Sequence, residues 1–107
     1  MTAYAIVHAR KITMGPSIKE YLERIEATSQ PFRGQFLVHG GDVEVVEGDW
    51  PGSVVVIAFP DLDLAHAWYA SAAYQEILPL RTQNAEADMI FVQGVSAEHR
   101  ATDLPAH

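Results

Sequence analysis

A chain of 107 residues with seven basic and fourteen acidic side chains carries a net charge of −7, is 49% hydrophobic and 20% charged, and has no cysteine. This is the composition of one globular domain, not of a disordered or fibrous chain. The acidic balance weighs against nucleic acid or an anionic membrane as partner. The lack of cysteine removes disulfides, thiolate zinc sites and a thiol nucleophile from consideration. The apolar stretch Ala3 to Val7 is too short for a signal segment, and no run is long enough to span a bilayer, so the expected location is the cytoplasm.

In chain order, Ala3–Ile12 reads as a strand. A helix follows Gly15-Pro16, with Ile18, Tyr21, Leu22 and Ile25 at i, i+3, i+4 and i+7 along one face. Pro16 suits its first turn, and Ser17 with Glu20 forms a candidate capping box. The second strand, Gly34–His39, is expected to continue past a turn at Gly40-Gly41 through Val43–Val46, and Ser53–Phe59 is the third. A second helical region opens at Asp61 or Asp63, carries Leu64, Ala67 and Trp68 on one face, and restarts near Ser71. Pro79 should kink or break it around Ile77–Pro79. Asp88–Val95 is the fourth strand, after which residues 96–107 turn polar and form a tail, leaving 1–95 as the single domain.

The order β-α-β-β-α-β is the ferredoxin-like pattern, an α+β fold with two helices on one face of an antiparallel sheet. The other face of such a sheet should be polar, because water meets it. Here Val54 to Phe59 and Met89 to Val92 are apolar on both faces. A second copy of the chain is the simplest cover, which predicts a homodimer joined sheet to sheet. In the first strand Tyr4, Ile6, His8 and Arg10 alternate with Ala3, Ala5, Val7 and Ala9. The small face is assigned to the helices and the bulky one to the dimer interior.

The segment His39-Gly40-Gly41-Asp42-Val43-Glu44-Val45-Val46-Glu47-Gly48-Asp49-Trp50-Pro51, with Val56 to Pro60, Ala67 to Ser71, Tyr74-Gln75, Leu80-Arg81 and Val92 to Val95, resembles the DUF1330 family (domain of unknown function). These are small bacterial proteins of the dimeric α/β-barrel type. The resemblance spans about residues 1–95 and implies that fold and dimerisation, with no established activity. Pro79 departs from it, standing where the family continues its helix, and so does the tail beyond Val95.

Several residues carry a chemical reading beside a structural one. Gly40-Gly41-Asp42 is a turn that needs positive φ, and a phosphate loop would want a helix behind it, where a strand follows. Asp42, Glu44, Glu47 and Asp49 read as a solvated acidic edge, with Glu47 the one to be aimed inward. Trp50, Trp68 and Tyr74 are core or interface residues, or else the walls of a ligand pocket between sheet and helices. Arg81 either pairs with an acid of the hairpin or fixes an anionic group of a ligand. His8, His39 and Glu47 are the candidate acid/base groups, without a complete catalytic constellation. The five histidines show no metal-ligand spacing, and nothing in the pattern asks for a metal or a cofactor. The leading expectation is a homodimer that binds a small anionic or aromatic molecule. A cofactor-independent oxygenase or isomerase is the alternative from a different class, and a structural interaction module is the third.

Overall fold

The computed structural model describes residues 1–104; the last three residues of the expected tail, 105–107 with His107, lie outside the described region. Strand β1 (Ala3–Ile12) is followed by helix α1 (Pro16–Ser29), a 3-10 turn (Gln30–Phe32), β2 (Gln35–His39) and β3 (Ser53–Phe59). Helices α2 (Leu62–Ala70) and α3 (Ala72–Thr82), strand β4 (Ala85–Gln93) and a 3-10 turn (Ala101–Asp103) complete the order. The four strands form one antiparallel sheet in the order β2-β3-β1-β4. The architecture is therefore ferredoxin-like α+β, with the sheet open, not closed into a barrel.

The small face of β1 is the covered one: Ala3, Ala5, Val7 and Ala9 are buried beneath the helices. Cross-strand neighbours Ile57 on β3 and Met89 and Phe91 on β4 share that face through the ladder register. From above, α1 presents Ile18, Tyr21 and Ile25, while α2 and α3 contribute Trp68, Tyr74 and Ile77, the last three with no solvent exposure. Buried polar atoms there find partners: Trp68 Nε1 donates to Thr28 Oγ1 at 3.0 Å, and Thr28 Oγ1 donates to the Ile25 carbonyl at 2.6 Å. A buried indole N–H without such an acceptor would cost about 1–3 kcal/mol.

Local chemistry explains the helix ends. Asp61 caps α2, its Oδ1 accepting from the Leu64 amide at 2.8 Å. Ser71 sits in an extended conformation between α2 and α3, donating to the Trp68 carbonyl and accepting from the Tyr74 amide. One side chain thus ends one helix and starts the next. At α1 the expected capping box does not form, because the helix begins at Pro16, inside which Ser17 is already part of the first turn. Leu22 stays exposed, since the stripe facing the sheet runs through Ile18, Tyr21 and Ile25.

Three further expectations are corrected. The helix does not break at Ile77–Pro79; α3 runs through Pro79 to Thr82. Proline there removes only the bond to the carbonyl of Gln75, an exposed residue that water can serve, while burial of Tyr74 and Ile77 holds the helix in place. Strand β4 begins at Ala85 and ends at Gln93, two residues short of Val95, because its partner β1 runs only from Ala3, opposite Gln93, to Ile12, opposite Ala85. The segment Val43–Val46 forms no strand. Beyond His39 the chain turns at Gly40, whose φ is 70°, and leaves the sheet, so that the outer edge of β2 stays unpaired. Residues 40–52 make an exposed arm that returns through Gly52, with φ 86° and so close to the Ala9 carbonyl that a Cβ would collide with it.

Candidate functional site

Trp68 fills the space over the Ala5 and Phe59 end of the sheet, with ring centroids of Trp68 and Phe59 5.4 Å apart. No side chain of that size stands over the other end, where β1 and β4 carry Ala9, Ala85 and Ala87. The mismatch leaves a cavity of about 210 Å³ between α1 and the sheet. Its walls are aliphatic, from Val7, Ile18, Ile25, Val55 and Ile57, with Phe36 from β2 and Met89 from β4. Exposed Ile12, Leu22, His39 and Gly40 stand at its mouth.

The polar groups on the wall are few: Tyr21, His39, Ser53 and Arg81, with no carboxylate among the lining residues. Tyr21 comes from the buried stripe of α1, and its hydroxyl lies 2.8 Å from that of Tyr74 on α3. Arg81, about two helical turns beyond Tyr74 on α3, sets its guanidinium beside both hydroxyls. Its Nε is buried without a hydrogen-bond partner. Ion pairs among the described residues use Arg10 with Asp88 and Arg24 with Glu20 and Glu76; Arg81 takes part in none. Burial pushes the Tyr21 phenol well above its ordinary value, the neighbouring Tyr74 adds to this, and Arg81 pulls the other way. For Arg81 itself burial disfavours the charge, but the two tyrosine oxygens outweigh it and leave the guanidinium above its ordinary value. The site therefore holds a fixed cation and a neutral phenol at physiological pH.

The DUF1330 family model, a domain of unknown function, matches residues 2–95. The chain belongs to this family. No curated protein matches it. Among solved structures, the DUF1330 chain is similar to a dimeric ferredoxin-like protein of unknown function from Jannaschia sp. CCS1, with 10% identity, a TM-score of 0.68 and coverage of 88% of this chain and 100% of that one. A methylated protein of unknown function from Rhodopseudomonas palustris shares 13% identity at a TM-score of 0.68, covering 92% and 84%. SnoaB, a cofactor-independent oxygenase from Streptomyces nogalater, shares 9% at a TM-score of 0.55, covering 92% and 96%. At such identities the likeness shows the fold alone.

The residues singled out by sequence fall into three places in this DUF1330 fold. Arg81 and His39 line the cavity. Trp68 and Tyr74 lie behind it, wholly buried, so they shape the cavity from the core and do not form its wall. His8 and Trp50 sit on the opposite face, their rings stacked at 4.0 Å, with His8 Nε2 donating to the Pro51 carbonyl at 2.7 Å. That pair ties the root of the arm to β1. Glu47 is exposed in the arm and is not among the lining residues. Sequence reasoning passed over Tyr21, read there only as part of an apolar helix stripe. The available signal was a hydroxyl on a stripe otherwise occupied by isoleucine and leucine. Among the described residues no three His, Asp or Glu side chains converge as metal ligands, and no helix is long and apolar enough to cross a membrane.

Proposed function

We propose that this protein is a homodimer, joined through the open faces of its two sheets, in which residues 1–95 of each protomer bind a small molecule in the cavity beneath α1. Arg81 engages an anionic group of that molecule. The observation that carries the reading is an apolar cavity whose single cation has no acid beside it. A partly buried charge is costly unless something pairs with it, and a bound anion would do so. Residues 96–107 are an appended segment outside the binding unit, and the protein acts in the cytoplasm.

Surface area supports the dimer. The chain exposes 7293 Å², where a compact monomer of its 11.8 kDa would expose about 5,900 Å². Part of this excess belongs to the exposed arm of residues 40–52 and part to the open sheet face. Its open sheet face offers Leu37, Val38, Ile90 and Val92, all exposed.

A second reading, cofactor-independent catalysis in the same cavity, is favoured by one observation: His39 places a titratable imidazole at the mouth. His8 and Glu47 do not share that position. An unfilled interior also weighs against a purely structural module. The test is thermal unfolding of the full chain against a panel of small carboxylates. Binding raises the melting temperature by mass action, and Arg81→Ala should lose that rise. If no member of the panel stabilises the wild type, the binding reading fails.

A further inference from the structure

We infer that the ligand is a monocarboxylate built on a single ring, its carboxylate held by Arg81 and by the Tyr21 hydroxyl, with Tyr74 as the positioning residue behind. This rests on the cavity being a ligand site and adds what the site selects.

Charge sets the first limit. The lining residues bring one permanent cation and no carboxylate, so one negative charge neutralises the site. A dianion would bring a second negative charge against aliphatic walls that carry no second permanent cation.

Hydrogen bonding sets the second. Two phenols that face each other at 2.8 Å share one bond and so commit one of their two protons. Tyr74 is wholly buried, whereas Tyr21 is on the cavity wall. The arrangement that leaves Tyr74 satisfied has it donating to the Tyr21 oxygen, and Tyr21 then donates into the cavity. Such a chain strengthens the outer donor through polarisation. The Arg81 guanidinium, which lines the cavity and takes part in no ion pair among the described residues, is the second donor. Two donors of this kind, one of them on a planar cation, match the two oxygens of a carboxylate. A neutral amide would bring its own N–H group into a cluster already rich in donors.

Volume sets the third. An apolar cavity of about 150 Å³ accepts benzene. The 210 Å³ here adds room for a carboxyl group on such a ring. Pockets that hold drug-sized molecules begin at about 300 Å³, so the cavity suits one ring better than a fused pair. Phe36 and Met89 on the wall supply aromatic and sulfur contacts to a ring.

The test is isothermal titration calorimetry on the full chain at neutral pH with benzoate, its neutral isostere benzamide, phenyl phosphate and naphthoate. Benzoate should bind at least about tenfold more tightly than each of the others, as expected for one charge-assisted hydrogen bond. Tyr21→Phe should weaken benzoate by about tenfold and leave benzamide unchanged. Tyr74→Phe should do the same to a smaller extent; a merely structural role for Tyr74 would weaken both ligands alike. Arg81→Lys, which keeps the charge and loses the planar fork, should weaken benzoate and retain its preference over benzamide. Should a tyrosine variant fail to fold, the ligand ratios in the wild type and in Arg81→Lys still decide the matter. Benzamide binding as tightly as benzoate overturns the anion selection while the cavity reading stands. Preference for phenyl phosphate or naphthoate overturns the charge or size limit, and absence of binding by all four compounds overturns the cavity reading as well.

Discussion

Along β1, Ala3, Ala5, Val7 and Ala9 point to the helices and are buried, whereas Tyr4, Ile6 and His8 in the alternate positions point to the other side and are only half-buried. The neighbouring strands repeat the contrast: Ile57 and Phe59 are hidden, while Ile90 is 53% exposed. Yet the open face is as rich in valine and isoleucine as the covered one. The two faces differ in side-chain size as much as in exposure. Small residues let helices approach the covered face closely, and where no Trp68 fills the gap they leave a cavity. On the open face the bulk is already in place. On the proposed reading, a sheet that is apolar on both sides separates two tasks, with ligand space on the alanine side and assembly on the valine side.

The sharpest break on the covered side is Trp68→Ala. It removes a wholly buried indole and its hydrogen bond to Thr28, and should destabilise the chain by about 3–5 kcal/mol in denaturant titration. On the open side, Ile90→Glu should leave the fold intact by circular dichroism but raise the dimer dissociation constant by about 100-fold or more in sedimentation equilibrium, because the charge would be buried between sheets. A wild type that sediments as a monomer would remove the assigned task of that face. At the root of the arm, Gly52→Ala should cost about 1–3 kcal/mol, since the residue has positive φ and abuts the Ala9 carbonyl.

Two smaller effects separate buried from exposed polar groups. Tyr21 holds its proton more tightly when folded than the ordinary value of 10.0, so its contribution is fully present below that pH. As pH rises above 10.0 the unfolded chain ionises first, and stability should fall by up to about 1.4 kcal/mol per pH unit. Tyr21→Phe should flatten that alkaline slope in melts at increasing pH. Asp88→Ala, which breaks an ion pair to Arg10 between exposed groups, should change the melting midpoint least, by no more than about 1 kcal/mol equivalent.

The strands Ala3–Ile12 and Ser53–Phe59 were legible to the residue, because β-branched and alternating runs are bounded by clear turn signals. The helix restart near Ser71 was legible for a similar reason, since its side chain acts on the amide three residues on. The arm was not. Val43 to Val46 has the apolar residues of a strand, but a strand forms only if the chain folds back onto a neighbour, and the turn at Gly40 carries it away from the free edge of β2. Of the residues singled out in the sequence, Arg81 and His39 line the cavity and Trp68 and Tyr74 are core, while Tyr21 was hidden in its helix stripe.

By itself the sequence determined the element order, the ferredoxin-like class and the excess of apolar surface on the sheet, which follow from composition and from periodicities of two and 3.6 residues, and the family, which the resemblance of the segment His39 to Pro51 carried. The location of the cavity was decided by the tertiary structure. It is the volume left where alanines on β1 and β4 face a helix with nothing large between them, and its polar end unites Tyr21 with Tyr74, 53 residues away, and with Arg81. Periodicity is a local property of the chain. An unfilled space and an unpaired charge are properties of what surrounds a residue, and only folding assembles those surroundings.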